Sequence, residues 1–328
     1  MKKNILILVI AIVVLAVVWL GIRFIIGGPE DTWICQNGQW VKHGNPSAAM
    51  PTKPCEKEKG TNKSEKSAQY NWSTMTEGPY RDKVSYANSA DLLNWTDSKK
   101  VLAEHASVPG AIYKDGVIYI YFVDVTEDGQ PEQIDLIRST DNGQTWTPKT
   151  VVTFEGIDNK VPVDPAPFLL EDGRIRMYYF DINVRETPGE INKIYSAISS
   201  DGLRFVQEEG VRFAKQGILD PDVVKVGETW RMYVGDVEKN LVFSATSKDG
   251  LNFNEEGMAY QGGAVPDVFY DNNKYYLYTA GINIATSTDG TRFGAPVGSF
   301  RSDLGMVTAD PSIIKLSDGN YIMFYKTK

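Results

Sequence analysis

The nine residues "RSTDNGQTW" (138–146) form a polar turn closed by one large aromatic. Shorter relatives of it return as "SADLLNW" (89–95), "SSDGLRF" (199–205), "SKDGLNF" (247–253) and "STDGTRF" (287–293). In such a turn the aspartate carboxylate accepts backbone N–H groups of its own turn, and glycine takes a φ that other residues resist. The closing Trp or Phe is left to pack on a neighbour, where burial contributes roughly 1.5–3 kcal/mol. Five such turns imply five copies of a larger unit.

The flanking sequence supplies that unit. "GVIYIYFVD" (116–124), "GRIRMYYFD" (173–181), "ETWRMYVGD" (228–236), "NKYYLYTAG" (273–281) and "GNYIMFYKT" (319–327) read as one β-strand written five times. Each follows another short strand that opens at a proline: Pro109, Pro165, Pro221, Pro266 and Pro311, spaced 56, 56, 45 and 45 residues apart. The first residue of a strand tolerates proline because no ladder donor is needed there. No apolar run at i, i+3, i+4 occurs after residue 80. Each repeat therefore reads as four strands with the Asp-Gly turn between the third and fourth, which is a β-propeller blade. The fold class is an all-β, five-bladed propeller over residues 80–328. The last blade ends two strands short at Lys328, and residues 82–107 are expected to complete it.

This topology places the chemistry. The start of the innermost strand and the end of the second share one face, the mouth. There the sequence carries Asp164, Asp220, Asp222, Asp267 and Asp310 on first strands, and Asp124, Asp181 and Asp236 at the ends of second strands. Crowded carboxyls raise one another's pKa, which lets one act as an acid beside a base. The same residues can equally cap strands or hold a channel water or cation. The turn aspartates Asp91, Asp141, Asp201, Asp249 and Asp289 read as scaffold, because a group repeated once per blade serves the blade.

The N-terminal 79 residues differ in texture. "ILILVIAIVVLAVVWLGIRFII" (5–26) has 22 residues and one charge, Arg23. At ~1.5 Å per residue it matches a hydrocarbon core of ~30 Å, and it is too long for a cleaved signal. With Lys2 and Lys3 before it and Glu30 and Asp31 after, residues 1–28 are expected to be a single-pass anchor in the cell membrane. The N-terminus would be cytoplasmic and the propeller extracytoplasmic. Residues 29–56 form a small juxtamembrane module in which Cys35 and Cys55 are expected to pair as a disulfide. Lipid attachment at Cys35 lacks the small residues it needs, and a metal site would have at most Cys35, Cys55 and His43. Residues 57–79 are a polar linker. A net charge of −8 argues against nucleic acid, and two histidines in the chain make a His-based metal site or catalytic triad a poor fit.

Five blades, Asp-Pro strand starts and Ser-x-Asp-Gly turns resemble the five-bladed glycosidase superfamily, with its arabinanase/xylosidase and invertase/levansucrase families. The resemblance covers about 80–328. "STDNGQTW" is also similar to the Asp-box of sialidases, but those have six blades. The superfamily resemblance implies three acidic groups from the first three blades: a base or nucleophile, an orienting Asp, and a general acid that is usually Glu. By position, Asp164 in "VDPAP" matches the second-blade Asp. Asp220 or Asp222 in "LDPDVV" stands at the third-blade acid, as Asp. The first blade departs, with Val108 and Gly110 in "VPGAIY" where its Asp would fall. The resemblance thus makes Asp164, Asp220 and Asp222 catalytic candidates. Asp124, Asp181, Arg185, Asp236, Asp267 and Asp310 are candidates for sugar contacts, with Glu186 and Glu190 as spare acids. No cofactor is implied, though the oxygen-rich channel is compatible with calcium. Three readings stand open: a tethered glycosidase, a non-catalytic glycan-binding propeller, and a protein-binding scaffold.

Overall fold

The computed structural model describes residues 32–36, 39–43, 46, 48–53, 77–125, 132–185 and 191–328. The apolar stretch 5–26 expected to be the anchor, Glu186, Glu190 and Cys55 lie outside the described residues. Among the described residues no helix is long and apolar enough to cross a bilayer.

The chain divides into two compact units, residues 1–69 and 70–328. In the first, strands Thr32–Gln36 and Gln39–His43 pair antiparallel, with Cys35 opposite Trp40. Trp33 donates its indole N–H to the Ala48 carbonyl at 2.8 Å, and Trp40 donates to Lys53 at 3.0 Å.

In the second unit, tyrosine-, valine- and isoleucine-rich segments build five sheets, antiparallel but for one added strand in the second. The inner strands of blades 1 to 5 are Ala106–Lys114, Pro162–Leu169, Ile218–Val226, Asp267–Asp271 and Thr308–Lys315. Each pairs with a second strand: Val117–Asp124, Ile175–Asp181, Thr229–Asp236, Lys274–Thr279 and Tyr321–Thr327. Blade 5 is completed by Lys83–Ser89 and Thr96–Glu104, so the first propeller segment and the last share one sheet. The expected four strands hold for blades 1, 3, 4 and 5; blade 2 is larger. Its edge is split between Arg204–Gln207 and Phe213–Lys215, and Thr153–Glu155 from the connector adds a parallel strand.

The prolines do not open these strands, with the exception of Pro266, which precedes Asp267–Asp271. Pro109, Pro165, Pro221 and Pro311 lie inside their strands, at register shifts between Ser107/Gly110, Val163/Ala166, Leu219/Asp222 and Ala309/Ser312. A bulge removes the ladder donor that proline lacks, so it serves as well as a strand end.

The core lies in the five seams between blades. Tyr121, Leu136, Met177 and Phe205 fill the seam of blades 1 and 2. Tyr178, Phe180, Met232 and Val234 fill the next. Equivalent clusters occupy the remaining three, including the closing seam with Ile118, Phe122, Ile322 and Phe324.

The Ser-x-Asp-Gly turns fasten these seams. Asp249 Oδ1 accepts the Leu251 and Asn252 amides at 2.8 and 2.9 Å, and Asp91, Asp141 and Asp201 repeat the pattern. The closing ring of each turn packs on an aromatic of the preceding blade: Phe205 on Tyr121, Phe253 on Tyr178, Phe293 on Tyr233, Trp95 on Tyr278 and Trp146 on Phe324. Four of those partners are tyrosines that donate their hydroxyl to a turn carbonyl, at Gly202, Gly250, Gly290 and Leu92. The closing seam has Phe324 in that place.

Candidate functional site

Four inner strands bulge at the residue before their proline, and in the fourth blade Val265-Pro266 leads into the strand Asp267–Asp271. Val108, Asp164, Asp220, Val265 and Asp310 all have positive φ, between +48° and +56°. For β-branched Val108 and Val265 this conformation is strained. The five residues line both of two axial cavities and so form a waist between them.

Above the waist is the mouth, a cavity of about 400 Å³. Its polar groups include Asp164, Asp220, Asp310, Asp82, Ser107 and Lys326; Val108, Val163, Leu219 and Val265 are among its apolar lining. Lys326 Nζ lies 2.6 Å from Asp310 Oδ2 and 4.0 Å from Asp82 Oδ2. Ser107 donates its hydroxyl to Asp82 at 2.8 Å. Burial pushes the Asp82 carboxyl up, against the opposing pull of Lys326 and the Ser107 hydroxyl. Burial also works against the Lys326 ammonium, but Asp310, Asp82 and Asp220 more than offset it and hold the lysine protonated.

Below the waist is the channel, about 240 Å³, where Asp222 and Asp267 sit. Asp222 Oδ2 accepts the Val268 amide of blade 4 at 2.8 Å, and Asp267 Oδ1 accepts the Ile313 amide of blade 5 at 3.2 Å. Asp222 is thus two residues from Asp220 in sequence but lines the channel alone, whereas Asp220 also reaches the mouth.

The second-strand aspartates line neither cavity. Asp124 is fully buried in an ion pair with Lys149. Asp181 accepts the Val161 and Asn183 amides, and Asp236 accepts the Lys239 amide and pairs with its ammonium. In blades 1 and 2 the residue before the aspartate, Val123 or Phe180, lines the mouth instead, and in blade 5 Lys326, before Thr327, lines it too. Strand alternation accounts for the offset, since adjacent side chains point to opposite faces. Arg185 ends the short helix Ile182–Arg185.

Lys326 and Asp82 were not expected from the repeat pattern. Lys326 had a signal, as the one lysine where the other second strands carry Val123, Phe180, Gly235 and Ala280. Asp82 precedes the repeats and had none. Among the described residues, no group of three His, Cys, Asp or Glu side chains is placed to hold a metal.

No protein-family model matches this chain, and no curated protein matches it either. Solved structures do. A family-32 β-fructofuranosidase of Bombyx mori aligns with a TM-score of 0.52 at 16% identity, over 79% of this chain and 59% of that one. The RS223 β-xylosidase gives 0.52 at 19% identity, over 68% and 92%. A family-43 enzyme of Xanthomonas citri complexed with xylotriose gives 0.52 at 15%, over 68% and 86%. The chain therefore spans about three fifths of the fructofuranosidase's length. It shares the five-bladed propeller fold of these family-32 and family-43 glycosidases.

Proposed function

We propose that the propeller binds a carbohydrate in its mouth, with Asp164, Asp220 and Asp310 as hydrogen-bond acceptors for sugar hydroxyls. The observation that supports this most is the convergence of three pre-proline carboxylates, from blades 2, 3 and 5, on one cavity of about 400 Å³. That volume is within the range of small-ligand sites. Solved relatives of the fold were captured with xylotriose and with fructosylnystose, which makes a neutral oligosaccharide the first class to test. The first blade brings Val108 to the cavity instead of a carboxylate, and this favours binding over hydrolysis. Hydrolysis is the second reading, supported by Asp310, a third carboxylate held beside Lys326. Residues 5–26 would tether the propeller to the outer face of the cell membrane, with Cys35–Cys55 closing the module between.

The full chain in detergent should be screened on a glycan array and assayed for release of reducing sugar. Binding without release is expected, and Val108→Asp tests whether a first-blade carboxylate brings turnover. Release by the unmodified chain would establish the second reading. Absence of any glycan binding would overturn both.

A further inference from the structure

Directly after the proline of each inner strand stands one position that faces the next blade. Its occupants are Gly110, Ala166, Asp222, Asp267 and Ser312. Three of them reach across a seam to a backbone amide: Asp222 to Val268 (2.8 Å), Asp267 to Ile313 (3.2 Å) and Ser312 Oγ to Ala111 (2.9 Å). Between blades 1 and 2 the backbones touch directly, since a Cβ on Gly110 would lie 1.9 Å from the Pro165 carbonyl oxygen. The axis is thus tied from blade 3 through blades 4 and 5 to blade 1, and two of the three side-chain ties are carboxyls. We propose that Asp222 and Asp267 form a pH-sensitive fastener of the ring: with at least one of them protonated they hold blades 3, 4 and 5 together, and ionisation of both loosens the waist beneath the mouth.

The surroundings support this. Asp267 is buried, while Asp222 meets the channel on one side and is otherwise walled in by inner strands. Burial lifts the Asp222 carboxyl to about 7, and burial together with the charge of Asp222 lifts Asp267 well above the usual carboxylate range. One ionised member is served by its amide donor; two would repel in a narrow channel of low dielectric. The other charged groups lining that channel do not relieve the repulsion. Asp164, Asp220 and Asp310 at the waist are acidic, and Lys225, farther down, is paired with Glu171. Behind the pair, the Tyr233 and Tyr278 hydroxyls donate to Gly290 and Leu92. Tyr270, also in the lining, donates to Asn273.

The sign follows from linkage. Both carboxyls titrate higher in the folded chain than in the unfolded one, so their stabilisation is full below about pH 4; the share of Asp222 is lost as pH rises through about 7, and that of Asp267 as pH rises above the usual carboxylate range. The asparagine variants keep an acceptor for the amide and cannot ionise. The full chain, Asp222→Asn and Asp267→Asn should be compared by thermal midpoint from pH 5 to 8.5. Hydrogen exchange at Val268 and Ile313, corrected for intrinsic rate, is read on the unmodified chain. The expected result is a midpoint that falls with pH in the unmodified chain and falls less than half as far in either variant. Val268 and Ile313 should lose protection at least tenfold over the same range. A midpoint equally pH-dependent in the variants, or undiminished protection of both amides at pH 8.5, would overturn the proposal. Because neither readout uses a ligand, the outcome is independent of what the mouth binds.

Discussion

Tyr233→Phe isolates the device that joins one blade to the next. The Tyr233 hydroxyl donates to the Gly290 carbonyl at 2.7 Å in a fully buried seam, and the Phe293 ring packs edge-on against it with centroids 5.8 Å apart. Removing one oxygen leaves the ring contact in place and orphans the carbonyl. The net worth of a hydrogen bond is about 0.5–1.5 kcal/mol, and a buried polar group left without a partner raises the cost to ~1–3 kcal/mol. For a domain of this size each kcal/mol moves the thermal midpoint by roughly 2–4 °C, so a fall of roughly 2–12 °C is expected. Scanning calorimetry or intrinsic fluorescence on the full chain reads it. Tyr119→Phe is the control: that ring is half-buried beneath Arg138, and a change below about 0.5 kcal/mol is expected. The closing seam shows that one fastener of this type is dispensable, because Phe324 occupies the equivalent place against Trp146. A Tyr233→Phe midpoint within about 1 °C of the unmodified chain would refute the account of how the seams are held.

Other outcomes follow from the turns. Gly290→Ala would set a Cβ 2.6 Å from Arg231 Nη1 and 2.9 Å from the Tyr233 hydroxyl, at φ +72°. Left-handed strain and overpacking together predict a loss of ~2–4 kcal/mol in a denaturation midpoint. The turn aspartates oppose the channel pair in their pH dependence. Hydrogen bonds from Asn94, Thr145 and Thr291 hold Asp91, Asp141 and Asp289 down to about 2. Their stabilisation is present above about pH 4 and is lost as pH falls toward 2, so the thermal midpoint should drop steeply on acidification, and less so after Asp91→Asn. Lys326→Met would leave Asp310 and Asp82 buried without their cation, at a cost of ~3–5 kcal/mol readable by urea unfolding.

The architecture was legible because repetition carries it. The five Asp turns and five aromatic strands fix the blade count, and the shortfall at Lys328 points to closure by the N-terminal strands. What escaped was finer than a repeat. A proline at a bulge and a proline at a strand start look alike in sequence, and the positive φ at Val108 and Val265 leaves no mark on residue type. Asp124, Asp181 and Asp236 were placed at the mouth by height along the strand; they line neither cavity, and in blades 1 and 2 alternation presents Val123 and Phe180 instead. Asp220 and Asp222 are chemically the same, and the bulge between them leaves Asp220 at the waist, open to the mouth, and Asp222 in the channel alone. The extra strand Thr153–Glu155 comes from a three-residue stretch with no alternation to flag it.

The central claim, that the waist aspartates serve a ligand while the turn aspartates serve the fold, is tested most directly by titration calorimetry. Neutral xylo- and fructo-oligosaccharides are titrated into the full chain and into Asp164→Asn, Asp220→Asn and Asp249→Asn. Saturable binding is expected, weakened at least tenfold by the first two changes and left within twofold by the third. Binding that is absent, or that falls equally in all three, would contradict it.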